Sequence, residues 1–351
     1  MKSYQEDIIR EDCEKATSGS VPLLEPLKGE SILITGGTGF MGTWLTEMIA
    51  FLNDNHGFDT KIFLLSSRAH NFSAKAPHLA LRPDLTLIER DIRSLVEIPE
   101  EVRWIIHAAG NPDNRQHASD PLKTIEVIVN GTNTILECAT RLPDLKKFLN
   151  ISSGLVYGGQ PWEMDAIPET FFGSLDCGSI NSAYPEAKRL GETLCAVYRN
   201  QHRLPLVNVR PFAFIGPYQL LDRPWAVNNF IRDSLLGGPI RILGDGETVR
   251  SYMYPSDMAF WILSILINGS VGTSYNIGSP YGVTLQHLAE KIASCFPMKP
   301  KIISNLSKDD KLRRNKFVPD VRLANNALGL SLKVDLDNAI RRTILWNQEN
   351  V

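Results

Sequence analysis

The segment Thr35-Gly-Gly-Thr-Gly-Phe-Met-Gly42 constrains this chain more than any other. It joins a short apolar run, Ser31 to Thr35, to a stretch from Met41 to Leu52 whose apolar residues recur at helical spacing. Gly36, Gly39 and Gly42 fit the pattern G-x-x-G-x-x-G. Glycines so spaced permit a tight turn, a close approach of backbone N–H groups to a pyrophosphate, and close packing of helix on strand. Alone the triplet is a weak signal. Between a buried strand and an amphipathic helix it predicts a dinucleotide site, with Phe40 and Met41 inside the turn.

The pattern continues downstream. Lys61 to Leu65, Leu85 to Glu89, Val102 to His107, Lys147 to Ile151 and Pro205 to Arg210 read as strands, with helices over Thr124 to Thr140 and Tyr184 to Tyr198. Apolar strands alternating with helices predict an α/β class chain, a Rossmann-like, doubly wound parallel sheet. Residues 1–29 read as a helix (Tyr4 to Ala16) and a linker, and 30–211 as the NAD(P)-binding domain. Past Arg210 the prolines at 211, 217, 224 and 239 and the shorter elements predict a smaller substrate-binding lobe over 212–351. A segment of that lobe, about 253–278, is expected to return to the first domain. Ser304 to Lys316 is polar and charged and reads as a mobile surface loop.

Composition narrows the classes. A formal charge of −2 over 351 residues gives no electrostatic case for nucleic acid or an anionic membrane. The longest apolar stretch, Ala259 to Ile267, is too short to span a bilayer, and the charged first residues hold no signal-peptide core. Five dispersed cysteines suit reduced thiols in a cytoplasmic protein, and seven scattered histidines predict no metal site.

The acid that often binds the cofactor ribose about 20 residues beyond the turn is missing. The second strand ends instead in Leu65-Ser66-Ser67-Arg68, and Ser67 with Arg68 can accept a 2′-phosphate. A solvated loop arginine reads the same way, so NAD and NADP both stay open. Asp91 and Ile92 are placed to contact the adenine, and Ala108, Ala109 and Gly110 are small enough to lie against the cofactor. Asn130 either supports the site by hydrogen bonding or is a helix-surface residue.

Ser153, in Ser-Gly-Leu-Val-Tyr-Gly, precedes Tyr184-Pro-Glu-Ala-Lys188. On one helix, Tyr184 and Lys188 share a face. A tyrosine titrates near pH ~10 in isolation, and a nearby ammonium is expected to lower that value. A serine hydroxyl beside them can hold a substrate oxygen and share its proton. An ordinary helix face carries Tyr-x-x-x-Lys too, so the weight comes from the surroundings.

With the glycine turn, His107-Ala-Ala-Gly110, Ser153, Tyr184 with Lys188, and Arg210-Pro211 in this order, the chain resembles the extended short-chain dehydrogenase/reductases. More narrowly it resembles their NAD(P)-dependent nucleotide-sugar epimerase/dehydratase family, over residues 30–347. Asn229 to Asp257 resembles the family segment that closes over a nucleotide diphosphate, and Lys316 to Gly329 carries the family's Val-Pro-Asp and Leu-Gly. The resemblance implies a nucleotide-diphosphate sugar as substrate and a homodimer. It implies that Ser153 binds the reacting sugar oxygen, that Tyr184 is the acid/base, and that Lys188 holds the nicotinamide ribose. Arg250 is then the arginine on the diphosphate, Asn229 a substrate contact and Pro211 a cofactor contact. Asp257 is expected to cap the helix that follows.

Departures from the pattern bear on the reaction. Family members that eliminate water or decarboxylate commonly carry an acid where this chain has Leu155, and a leucine cannot move a proton. Ala213 stands where an asparagine often contacts the substrate. Leu155 suits either an epimerase acting through a transient keto-sugar or an NADPH-dependent keto-sugar reductase; the long segment before Asp257 puts the epimerase first, while Ser67 and Arg68 lean toward the reductase. A dehydratase or decarboxylase comes below both. A non-catalytic dinucleotide-binding sensor or scaffold is the rival from another class, and it would have no need of Ser153, Tyr184 and Lys188. Asn111 to Asp120 carries no assigned role.

Overall fold

Strand β1, Ser31–Thr35, is buried along its whole length, and the five-residue run SILIT has no polar side to turn to water. Such a strand needs partners on both edges and cover on both faces. β2 (Lys61–Ser66) and β4 (Trp104–His107) flank it in parallel. β3 (Leu85–Glu89), β5 (Lys147–Ile151), β6 (Leu206–Pro211) and the strand Ser274–Ile277 complete a seven-stranded sheet. Its order is Ser274–Ile277, β6, β5, β4, β1, β2, β3, with every neighbouring pair parallel. The computed structural model describes residues 4–111, 113–304 and 315–348. The polar segment expected as a loop lies mainly outside the described residues, between the strand Ile302–Ser304 and the strand Lys316–Phe317.

The chain winds outward in opposite directions from the β1/β4 boundary. A crevice therefore opens at their carboxyl ends, where Thr35 pairs in register with His107. β4 starts at Trp104 rather than Val102, because Val102 makes a turn to Pro99 instead. Helix α1 spans Tyr4–Thr17 and helix α2 spans Phe40–His56. The residues after α1 are not a loose linker. Val21–Leu27 forms a 3-10 helix whose Leu24 and Leu27 are fully buried.

α1 is anchored through a buried carboxylate. Asp12 accepts a hydrogen bond from Tyr254 Oη at 2.6 Å and pairs with Arg342 of the closing helix Leu336–Gln348. Burial pushes the Asp12 carboxyl up to about 7, although Arg342 and Tyr254 pull the other way. On the opposite face, helix Pro121–Ala139 packs against helix Ala183–His202. Beyond β6, helix Ala226–Leu235 and short two- and three-residue strands outside the seven-stranded sheet occupy the region expected as the second lobe, and helix Pro255–Asn268 returns against α2.

Candidate functional site

The glycine turn closes over β1 as its residue types require. Gly36 has φ +66°, and a Cβ there would lie 2.6 Å from the carbonyl oxygen of Ala108. A Cβ on Gly42 would meet the carbonyl of Gly37 at 2.3 Å. Only glycine allows this approach of α2 to the turn and of β4 to β1. Gly39 is the N-cap of α2, and no side chain caps that helix end, so its first N–H groups face the crevice mouth. Thr38 donates from its hydroxyl to Ser66 Oγ at 2.8 Å, tying the turn to the end of β2.

Under the crevice, His107 is 2 % exposed and bridges β1, β4 and helix Pro121–Ala139. Thr132 Oγ1 donates to the Ile128 carbonyl, so it accepts from His107 Nε2 at 3.1 Å. His107 Nδ1 then accepts from Thr35 Oγ1 at 2.7 Å, and Thr35 Oγ1 accepts from the Ala109 N–H. Burial holds the imidazole down at about 3, so this histidine is a neutral brace.

The remaining cofactor candidates divide. Ala108, Ala109 and Gly110 follow directly on this brace, and Gly110, at φ +144°, places its Cβ direction 3.6 Å from Lys188 Nζ. Ser67 and Arg68 are exposed at the end of β2. Asp91, expected near the adenine, gives its carboxylate to the Arg93 N–H and guanidinium, at 2.9 and 2.7 Å. Ile92 turns inward and fills the notch at Gly131, 2.7 Å from where a Cβ would stand. Asn130, expected to brace the site, is exposed on its helix and makes no side-chain hydrogen bond among the described residues. Pro211, at the end of β6, is buried.

Ser153, Tyr184 and Lys188 come together at the end of β5. Ser153 is the N-cap of the 3-10 turn Gly154–Tyr157, its Oγ accepting from the Leu155 N–H at 3.1 Å. Tyr184 and Lys188 lie on one face of helix Ala183–His202, both 8 % exposed. Lys188 Nζ donates to the Ile151 carbonyl at 2.8 Å and stands 5.9 Å from the Tyr184 ring centre. Burial opposes the lowering expected from a nearby ammonium. Burial pushes Tyr184 up to about 12, with a hydrogen bond from Ser153 pulling it partly back. Lys188 uses one of its three donors on the Ile151 carbonyl, and burial lowers its pKa to about 8.

Arg210 fixes this helix from below. It forms a forked pair with Glu192, one turn beyond Lys188, at 2.9 and 2.7 Å. It also donates to Tyr157 Oη, which in turn donates to Asn276 Oδ1 of the seventh strand.

A cavity of about 290 Å³ opens beside Tyr184. Leu155, His117, Asn114, Asp176, Asn181 and Ser182 are among its walls. Leu155 is 39 % exposed, so the leucine stands on the cavity wall rather than in the core. His117 lies flat on Tyr184, ring centroids 4.2 Å apart and planes 12° from parallel. Nothing in the sequence pattern pointed to it. Its segment is pinned by Asp113, which pairs with Arg115 at 2.9 Å and with Arg223 of the second lobe. These guanidinium groups hold the Asp113 carboxyl well below the usual range, Arg115 contributing most.

In the second lobe, Arg250 sits in the strand Val249–Arg250 between Val283–Thr284 and Lys316–Phe317. It donates from Nη1 to its neighbour's carbonyl, and burial lowers its pKa. Asn229 is half-buried in the first turn of helix Ala226–Leu235 and makes no side-chain hydrogen bond among the described residues. Asp257 is not a cap. Tyr254 holds the N-cap position, and the Asp257 carboxylate reaches across to the N–H groups of Lys333 and Val334 at 3.0 Å.

The family model described as the NAD dependent epimerase/dehydratase family matches residues 32–278, more than half of the chain. The chain belongs to that family. UDP-glucuronic acid decarboxylase 5 of Arabidopsis thaliana is 30% identical over 307 residues, covering 87% of this chain and 85% of the relative. Two solved structures share the fold. A UDP-glucose 4-epimerase of Thermotoga maritima, with UDP-glucose, is 22% identical with a TM-score of 0.76, covering 91% of this chain and 99% of its own. DesIV, a dTDP-glucose 4,6-dehydratase of Streptomyces venezuelae with NAD and TYD bound, is 23% identical with a TM-score of 0.77, covering 91% and 97%. Decarboxylation, epimerisation and dehydration thus occur on one scaffold, and the residues around the cavity must separate them. The turn, the small residues of 108–110 and the helix terminus fit the NAD that the family uses.

Proposed function

We propose that this family member is an epimerase of a nucleotide-diphosphate sugar, working through a transient keto-sugar. Leu155 on the cavity wall beside Tyr184 argues against elimination, and the long segment Asn229 to Asp257, like the family stretch that closes over a nucleotide diphosphate, sets the epimerase ahead of a reductase. Elimination of water needs a side chain that moves a second proton near this wall, and an alkyl group offers none.

In this mechanism the sugar hydroxyl hydrogen-bonds to Ser153 and Tyr184, and Tyr184 takes its proton. The bound nicotinamide supplies the hydride acceptor and later the donor. Lys188 holds the ribose hydroxyls next to Gly110 and, as an ammonium, favours the phenolate. Tyr184 returns the proton after the keto-sugar has turned its other face. Arg250 holds the diphosphate through its remaining guanidinium donors, and Asn229 contributes a contact from its helix. We assign residues 30–211, with a return at about 253–278, to the cofactor domain and most of 212–351 to the substrate lobe.

A second reading follows from the decarboxylase relative: oxidation of a uronate at C4 gives a β-keto acid that loses carbon dioxide. The exposed Ser67 and Arg68 leave room for a 2′-phosphate, which favours a reductase using NADPH. One experiment separates the three. The protein is incubated with UDP-, dTDP-, GDP- and CDP-sugars, and the products and the released cofactor are identified by mass spectrometry. An isomeric product with retained NAD supports the epimerase. Loss of carbon dioxide or water, or net consumption of NADPH, overturns it.

A further inference from the structure

We propose that His117 is a positioning residue that covers the Tyr184 ring and fixes its plane. The proposal rests on reading Tyr184 as the proton-transfer residue. A tyrosine ring turns broadly about its Cβ–Cγ bond unless something packs against its face. Here the imidazole lies against that face, with ring centroids 4.2 Å apart and planes 12° from parallel. Any tilt of the phenol must displace the imidazole.

The imidazole is itself held. His117 Nε2 is 2.5 Å from the Asn111 carbonyl oxygen, and because a carbonyl only accepts, Nε2 carries the hydrogen. The backbone N–H of His117 donates to the Asp113 carbonyl at 3.1 Å. Asp113 is clamped in turn by Arg115 and by Arg223. Arg223 reaches in from the segment that follows Phe214, so the second lobe braces the ring that covers the tyrosine.

The charge of the pair fits a cover better than a base. Burial holds the His117 imidazole below its ordinary value, and the nearby Lys188 ammonium pushes the same way, against Asp113 and the Asn111 carbonyl. Tyr184 faces Ser153, Lys188 and this neutral ring. A neutral aromatic cover keeps water off the phenol without adding a second cation beside Lys188. His117 also lines the cavity with Leu155 and Tyr184, so the stack forms one wall of the sugar's seat. Misplacing the hydroxyl there costs rate rather than affinity.

The test uses the cofactor-loaded full chain with tyrosine labelled by 13C at Cζ, the Tyr184 signal being assigned by its loss in Tyr184→Phe. In His117→Ala the exposed phenol should titrate lower than in the wild type by about one pH unit, because desolvation is what raises it. His117→Phe should restore the wild-type midpoint. His117→Gln replaces the alanine variant if that one does not fold, since it removes the ring and keeps a donor for Asn111. On the sugar nucleotide that is turned over, kcat of His117→Ala should fall roughly tenfold to a hundredfold with KM nearly unchanged, and His117→Phe should recover most of it. An unmoved Tyr184 midpoint in His117→Ala overturns the proposal, as does a His117→Phe variant as altered as His117→Ala. Turnover retained by Tyr184→Phe would remove the role given to Tyr184 and leave the titration result standing, so the two failures are distinguishable.

Discussion

Lys188 donates a hydrogen bond to the Ile151 carbonyl across 2.8 Å, and Ile151 ends the strand that delivers Ser153 two residues later. One buried ammonium thereby ties the helix carrying Tyr184 to the strand end carrying Ser153. It also lies against Gly110, where the crevice begins. The geometry makes Lys188 a structural tie and an electrostatic group at once.

Lys188→Met should therefore lower turnover by roughly a hundredfold or more while the chain still folds. The pH dependence has a definite sign. Burial lowers Lys188 to about 8, so it is an ammonium below that pH and neutral above it. As pH rises through that point, the help it gives the phenolate disappears, and turnover should decline on the basic side. The logarithm of kcat plotted against pH checks this. A rate that keeps climbing through the lysine's titration contradicts it.

Gly36→Ala should abolish dinucleotide binding. The added Cβ meets the Ala108 carbonyl at 2.6 Å in a backbone held at φ +66°, so β1 and β4 must separate where the cofactor is to lie. The cofactor content of the purified variant reports the outcome, and wild-type content would show that the turn tolerates the shift.

If Arg250 grips the diphosphate as proposed, Arg250→Ala should raise KM for the sugar nucleotide by roughly tenfold to a hundredfold and change kcat less, because the lost charge-assisted contact is far from the reacting carbon. Steady-state kinetics with the nucleotide sugar reads the split. A loss confined to kcat would move Arg250 from binding to chemistry.

Asp257 gives a stability prediction. Its carboxylate accepts from the N–H groups of Lys333 and Val334, and Asp257→Ala leaves both without that partner, at a cost of about 2–3 kcal/mol in chemical denaturation. Burial raises this carboxyl from 3.8 to about 6, against those two hydrogen bonds. The unfolded chain ionises it first, so its contribution is greatest below pH 3.8 and is lost as pH rises through about 6. Asp257→Asn should flatten that part of the wild-type stability profile, and an identical slope in both proteins contradicts the assignment.

Much of this was legible from local rules. A buried strand, a glycine turn and an amphipathic helix have one economical arrangement, so the sheet and the crevice follow from the pattern around Gly36. Ser153, Tyr184 and Lys188 were legible because helical spacing and a strand end fix their directions. Contacts made between distant segments were not. The stack of His117 on Tyr184 joins two separate helices and the Asp113–Arg223 pair joins two distant segments, which no local spacing encodes. Asp91 shows the converse: its position after β3 was clear, but the claim of Arg93 on its carboxylate depends on side-chain geometry. For Tyr184, burial raises the pKa against the hydrogen bond from Ser153, and i, i+4 spacing does not report how deeply a ring is buried.

The most direct test of the central claim is Tyr184→Phe, assayed for release of an isomeric sugar nucleotide and for bound cofactor. The variant should keep its dinucleotide and its fold and lose turnover by about a thousandfold, the hydroxyl being the group proposed to move the proton. Turnover within a few fold of wild type, with cofactor still bound, would contradict it.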